Sequence, residues 1–515
     1  MNTLHFHSIY DWLNDRLDAI VAKEARQMVR SRFVVSAQSI LLSLLVLALG
    51  FGIVNHDTLA PDRAFGRNML VCFQIMLHAV CVLCVPLYVG CRLAFERADA
   101  NADLLFSTTL KPQTMVLGKL VSGALAGLMA ISVCAPFMAL SYFLRGVSVQ
   151  MIAFALAYDM VVLLAATQTA IFIASLPLNR LAKALAGAAC LVPALVSFRL
   201  YRGAFTGGGM VSAHFYNPQN MLMMLGGSLI LLAAGGLFFV MSSAMLAPAS
   251  ANRAIATRIY VTACWIVTGL AVGLFNVDNA RGVILLDLSW VAAWGGIWCV
   301  AILVAGGERD SLGPRMRSQI AAHGGGHWWV LMFSSGAAGG FFWALGMLVL
   351  TLALGALAAH RITAWSSRPG DGAALHVLMG RVAVADAMML GYVLLAGCVR
   401  RRFFPNAIGF GHAILTALVL MAFAVLLPAL AGFAMGESGS HKLFWAAFPL
   451  SPFYEFFIRM NIYSNAPLLV PACVASVLLP AGLACSWSWL GSQVNAFYAV
   501  PAQTPGRFSQ KGVSL

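Results

Sequence analysis

Long apolar runs separated by short polar joints set the pattern of this chain. Runs of bilayer length fall near residues 33–54, 69–94, 114–144, 151–176, 182–198, 220–247, 259–275, 284–305, 329–357, 377–398, 408–434 and 466–490. A helix needs about 20 apolar residues to cross a core about 30 Å thick. In lipid the backbone must satisfy its own polar groups, which a helix does within one segment. The pattern predicts an all-α polytopic membrane protein with about 12 transmembrane helices. With 61% hydrophobic and 10% charged residues, a soluble globule is excluded.

Charge placement orients the chain. With the N-terminus inside, about two thirds of the 32 Lys and Arg fall on inner segments, and the bias alternates along the sequence. Both ends are therefore expected in the cytoplasm, and the net charge of +14 is read as topological. The cations form no basic stripe with interleaved aromatics, so nucleic acid is not an expected partner. All eleven cysteines lie in predicted spans. Cys81 and Cys84 make a CxxC without the βαβ setting of a redox motif, and such thiols act as small apolar groups.

Residues 1–32 form a cytoplasmic amphipathic elbow region. Ile9, Leu13, Leu17 and Ile20 recur at helical spacing opposite Asp11, Asn14, Asp15 and Asp18, as in a helix lying in the membrane interface. The basic run Lys23 to Arg32 fixes the start of span 1 on the inner side.

A repeat follows. Glu96-Arg97 precedes Ser122-Gly123-Ala124-x-x-Gly127, and Glu308-Arg309 precedes Ser335-Gly336-Ala337-x-x-Gly340. Each segment opens a span on the inner side, the third and the ninth. The pairs Gly123/Gly127 and Gly336/Gly340 are small-residue motifs that let helix backbones approach closely. Asp159 in span 4 and Asp386 in span 10 fall at corresponding depths. Two six-helix halves in parallel repeat are expected, 33–247 and 259–490, joined by the inner loop 248–258 and followed by a cytoplasmic polar tail, 491–515.

The connection between spans 2 and 3, from Glu96-Arg97 through Asp99, Asp103, Leu104, Leu105 and Thr109 to Pro112, is charged, Leu-bearing and of helical length. It reads as a segment lying on the inner membrane surface and gripped by a soluble partner. Taken with the elbow run Glu24 to Arg32, the Val116-Leu-Gly118-Lys119-Leu start of span 3, Pro136 to Tyr142, Gly146-Val-Ser148 and Asn217-Pro218, it resembles the permease subunits of type-2 ABC transporters, mostly bacterial exporters. The resemblance is clearest from Glu24 to Asn220. It implies a coupling helix at about Asp99–Leu110, with Glu96 and Arg97 at its mouth, docking on a separate ABC ATPase subunit present in two copies. Glu308 and Arg309 would mark a second coupling segment. The second half departs from the family pattern, since no Leu-Leu…Thr-Thr-Leu run follows Arg309.

The chain carries no phosphate-cradling GxxxxGK[ST] loop. It is therefore expected to be a transport component and no enzyme, binding no cofactor itself, with ATP and Mg on the partner subunit. The expected function is the permease of an ATP-driven exporter in the bacterial inner membrane, moving an amphipathic or hydrophobic substrate by alternating access. Membrane lipid is a partner. One chain carries enough spans for a whole pathway, and a homodimer is the other arrangement.

Single residues give further candidates. A carboxylate inside a span is costly and marks a functional hypothesis. Asp159 and Asp386 are thus either helix-packing groups or the proton carriers of a secondary transporter, the alternative function. His78 lies one turn from Gln74 and reads as a packed polar pair. His323 and His327 sit on a glycine-rich loop and make a weak metal pair, so no metal site is assigned. Arg400, Arg401 and Arg402 read as an inner-side anchor, and the aromatic-rich segment 434–466 as an outer belt or lid.

Overall fold

The structure is a computed structural model that describes residues 19–54, 63–98, 112–144, 147–176, 179–189, 218–247, 252–274, 280–305, 308, 328–365, 371–403 and 469–498. The chain divides into two compact units, Met1–Pro248 and Ala249–Leu515. Among the described residues the elements are helical and no strand occurs.

In the first unit the helices are α1 (Ala19–Val29), α2 (Arg32–Val54), α3 (Arg63–Ala79) and α4 (Val85–Ala98), with a π turn at Val80–Cys84 between the last two. They continue with α5 (Pro112–Phe143), α6 (Val149–Ser175), α7 (Arg180–Ala189) and α8 (Pro218–Leu246). The second unit holds α9 (Ile255–Leu274), α10 (Ala280–Ala305), α11 (Trp328–Phe333), α12 (Ala337–Trp365), α13 (Asp371–Phe403) and α14 (Leu469–Tyr498).

Ten of these stretches are long and apolar enough to cross a membrane, which makes the chain a multi-pass membrane protein. They match ten of the twelve expected runs. Of the other two, 182–198 is described only through α7, a ten-residue helix, and 408–434 lies outside the described residues. The amphipathic stripe at 9–20 and the segment 434–466 also lie almost wholly or wholly outside them.

Two elements depart from uninterrupted spans. The second span runs α3, π turn, α4, so Cys81 and Cys84 sit in a wider turn and the two flanking faces do not share one straight helical register. The ninth is broken at Ser334–Gly336, with α11 on one side and α12 on the other.

Helix α1 is anchored by a stripe at helical spacing, Val21, Glu24 and Met28, which is buried while Lys23, Arg26 and Arg30 are exposed. The stripe packs on α5. Along α2 the large apolar side chains Ile40, Leu47 and Phe51 are exposed, as a lipid-facing span requires.

Candidate functional site

The buried stripe of α1 brings Glu24 to the point where α4 ends and α5 begins. Four charges close a ring there. Glu24 lies 3.4 Å from Arg92, Arg92 lies 3.2 Å from Glu96, Glu96 lies 2.6 Å from Lys119, and Lys119 lies 3.0 Å from Glu24. Arg92 and Glu96 meet because four residues separate them on one helix. The Lys119 side chain is 6% exposed and that of Glu96 38%, so the ring runs from the packed interior to the rim. Each acid contacts both bases, which offsets the desolvation that makes a lone buried charge expensive. Arg92 also donates to the Gln27 side chain.

Beside the ring, Arg97 donates to the Ser175 carbonyl, and Lys183 donates to the Ala174 carbonyl at 2.9 Å. These carbonyls end α6 and have no partner within the helix, and a cation there also faces the negative end of the helix dipole. Residues 99–111, with Asp99, Asp103, Leu104, Leu105 and Thr109, lie outside the described residues. Both helices that flank them are tied by the ring to each other and to α1.

In the second unit the corresponding glutamate is held by an arginine. Glu308 follows the end of α10, and its two carboxylate oxygens each lie 3.1 Å from Nη2 of Arg258 on α9. Nη1 of Arg258 donates to the Met332 and Ser334 carbonyls, both at 2.6 Å. Asn252 donates to the Phe333 carbonyl at 3.2 Å, and the Gly336 N–H donates to Glu308 at 2.7 Å. The groups released by the break between α11 and α12 thus find partners on Arg258, Asn252 and Glu308. Burial raises the Glu308 carboxyl above the ordinary carboxylate range, against the opposing pull of Arg258 and the Gly336 N–H. Arg309 lies outside the described residues.

The small-residue motifs fall at different contacts. A methyl group added to Gly123 would meet Thr167, and one added to Gly127 would meet Leu163, both on α6. At Gly340 it would meet Ala305 of α10 and the Arg258 guanidinium. Gly336 has open space around it and serves instead through its N–H.

Midway along the first unit, the structure joins residues that the sequence offered separately. Asp159 accepts from Gln74 Nε2 and lies 2.8 Å from His78 Nδ1, and all three side chains are buried. Gln74 also donates to the Ala155 carbonyl at 3.3 Å. In the second unit Asp386 is buried against Gly295 of α10. Both aspartates therefore lie where the fourth span of their unit crosses the second.

Sequence reasoning passed over two features of the second unit. Five indole N–H groups end on three threonines: Trp265 and Trp298 on Thr351, Trp290 and Trp294 on Thr268, and Trp343 on Thr262, at 2.9 to 3.2 Å. The spacing of Trp290, Trp294 and Trp298, four residues apart on one face, was the available signal. The second is Asp287 on α10, a buried carboxylate in an apolar span.

Of the three arginines expected to anchor α13, Arg400 is buried, Arg401 lies 4.0 Å over the Trp489 ring, and Arg402 is exposed. Among the described residues no three His, Cys, Asp or Glu side chains gather as metal ligands would. No family model, curated protein or solved structure matches this chain.

Proposed function

We propose that this multi-pass membrane protein is the permease of an ATP-driven exporter, worked by a separate ATPase subunit at the segment between α4 and α5. The observation that carries this reading is the four-charge ring of Glu24, Arg92, Glu96 and Lys119, which clamps the helices on both sides of residues 99–111 to α1. A segment pushed by a soluble motor moves transmembrane helices only if its flanks are stiff, and a ring with two opposite partners per charge supplies that stiffness. In this reading the protein has twelve spans in two six-span halves, sits in a bacterial inner membrane with both ends in the cytoplasm, and moves an amphipathic or hydrophobic substrate.

The test is purification from the native membrane in mild detergent. An ATP-hydrolysing subunit is expected to come with the chain, and Asp103→Lys is expected to release it while the chain stays inserted. Asp103 is preferred over Glu96, because reversing Glu96 would also open the ring.

The second reading is a proton-coupled transporter, favoured by the buried Asp159–His78–Gln74 cluster. A carboxylate and an imidazole in contact within a span can pass a proton between them. Here Asp159→Asn abolishes flux, and removal of ATP does not. In the exporter reading Asp159→Asn leaves ATP-dependent flux in place.

A further inference from the structure

The exposed face of α1 carries charge that the candidate site does not use. A groove of about 900 Å3 runs between α1 and the second span, lined by Lys23, Arg26, Gln27, Arg30, Ser31 and Arg92. Lys23 and Arg26, three residues apart, share one face of α1, Arg30 follows directly after its last residue, and all three are exposed. Among the described residues, no carboxylate lies within ion-pair distance of them. Among the described residues, Glu24 and Glu96 beside the groove are already engaged by Arg92 and Lys119. Three cations with no acidic partner among the described residues, and a hydroxyl at Ser31, thus face one opening.

The opening continues into an apolar wall. Phe33, at the start of the first span, is 46% exposed and its ring stacks on Tyr88 at 5.1 Å. Val29 is equally exposed, and beyond Phe33 come Ile40, Leu44 and Leu47, also exposed along α2. A soluble phosphate ester would use the cations and leave this wall bare. A ligand with an anionic head and acyl chains uses both.

We propose that this groove binds the phosphate headgroup of an anionic phospholipid, with Lys23, Arg26 and Arg30 on the phosphate and the acyl chains along α2. Clustered cations beside a span are the usual means of holding such headgroups. The same helix presents Glu24 on its opposite, buried face, so a bound lipid steadies α1 against the four-charge ring. The inference does not depend on the exporter reading, since the groove and its apolar wall are built from α1, α2 and the second span, without residues 99–111.

The test reconstitutes the full chain in nanodiscs of phosphatidylcholine with a quarter phosphatidylglycerol. Retained lipid is then counted by native mass spectrometry after gentle extraction. Phosphatidylglycerol is expected to be retained over phosphatidylcholine. Arg26→Gln with Arg30→Gln is expected to weaken retention about thirtyfold, as for loss of two cations near an anionic surface. Arg402→Gln, at an exposed cation elsewhere, is expected to leave it unchanged. Equal retention in the double variant overturns the proposal. If the double variant fails to fold, the unaltered chain still decides: equal retention of the neutral lipid, or full displacement by millimolar inorganic phosphate, overturns the lipid assignment.

Discussion

Glu96 and Glu308 hold comparable places, near the end of the second long span of their units, yet they are held in place differently. Glu96 shares its charge with Arg92 and Lys119, and both bases also reach Glu24. Among the described residues Glu308 has one cationic partner, and that partner, Arg258, also carries the carbonyls of a broken helix. The first arrangement distributes its load and should survive loss of a member. The second concentrates it on one guanidinium whose side chain is 4% exposed. The units differ midway as well, with a His–Asp–Gln cluster in one and a tryptophan–threonine ladder in the other.

The largest effect expected from this contrast is at Arg258. Arg258→Met strands the Glu308 carboxylate and the carbonyls at the break, a loss of about 3–5 kcal/mol for an unpaired buried charge. Lys119→Met leaves Arg92 between the two acids and is expected to cost about half as much, close to the value of a hydrogen bond to a charged group. Thermal unfolding of both variants in one detergent measures the difference. Equal losses would break the distinction between shared and concentrated load.

Next comes the ladder. Thr351→Val keeps the volume but leaves the buried indoles of Trp265 and Trp298 without their acceptor, near the low end of about 1–3 kcal/mol for each neutral donor. Thr262→Val deprives only Trp343 and should cost about half. The two variants are compared by thermal unfolding alongside tryptophan fluorescence.

Smaller differences should separate the glycines. Gly127→Ala presses on the end of the Leu163 side chain, whereas Gly340→Ala presses on Arg258 and on Ala305 Cβ, which moves only with its backbone. Overpacking costs about 1–3 kcal/mol, with Gly340→Ala at the high end. Both are read as shifts in unfolding temperature.

The smallest is a pH effect. Burial raises the Glu308 carboxyl, so the folded chain binds its proton more tightly than the unfolded chain. This contribution to stability is present below the ordinary carboxylate range and is lost as pH rises through the raised value. Glu308→Gln is expected to flatten that part of the stability–pH curve, as followed by unfolding midpoints across the acid range.

Ten of the expected spans were legible because twenty consecutive apolar residues have few other uses, and lipid leaves the backbone little besides a helix. The break in the ninth span was not legible. The stretch 329–357 reads as one apolar run, and the partners that let it open, Asn252, Arg258 and Glu308, lie outside it in sequence. The π turn was hidden for a similar reason, since CxxC carries no signal of helix register.

The individual site residues were legible and their groupings were not. Glu96, Lys119, Asp159 and His78 each stand out as polar groups in or beside apolar runs. That Glu24 closes a ring through Lys119 depends on how α1 packs on α5. That His78 and Gln74 meet Asp159 depends on the second span crossing the fourth. The sequence by itself determined which segments are long and apolar enough to cross a bilayer, since transfer of side chains from water to hydrocarbon is a local property of each segment. Only the tertiary structure decided which charges neutralise one another, because a salt bridge or a buried hydrogen bond depends on distances between segments that the linear pattern does not encode.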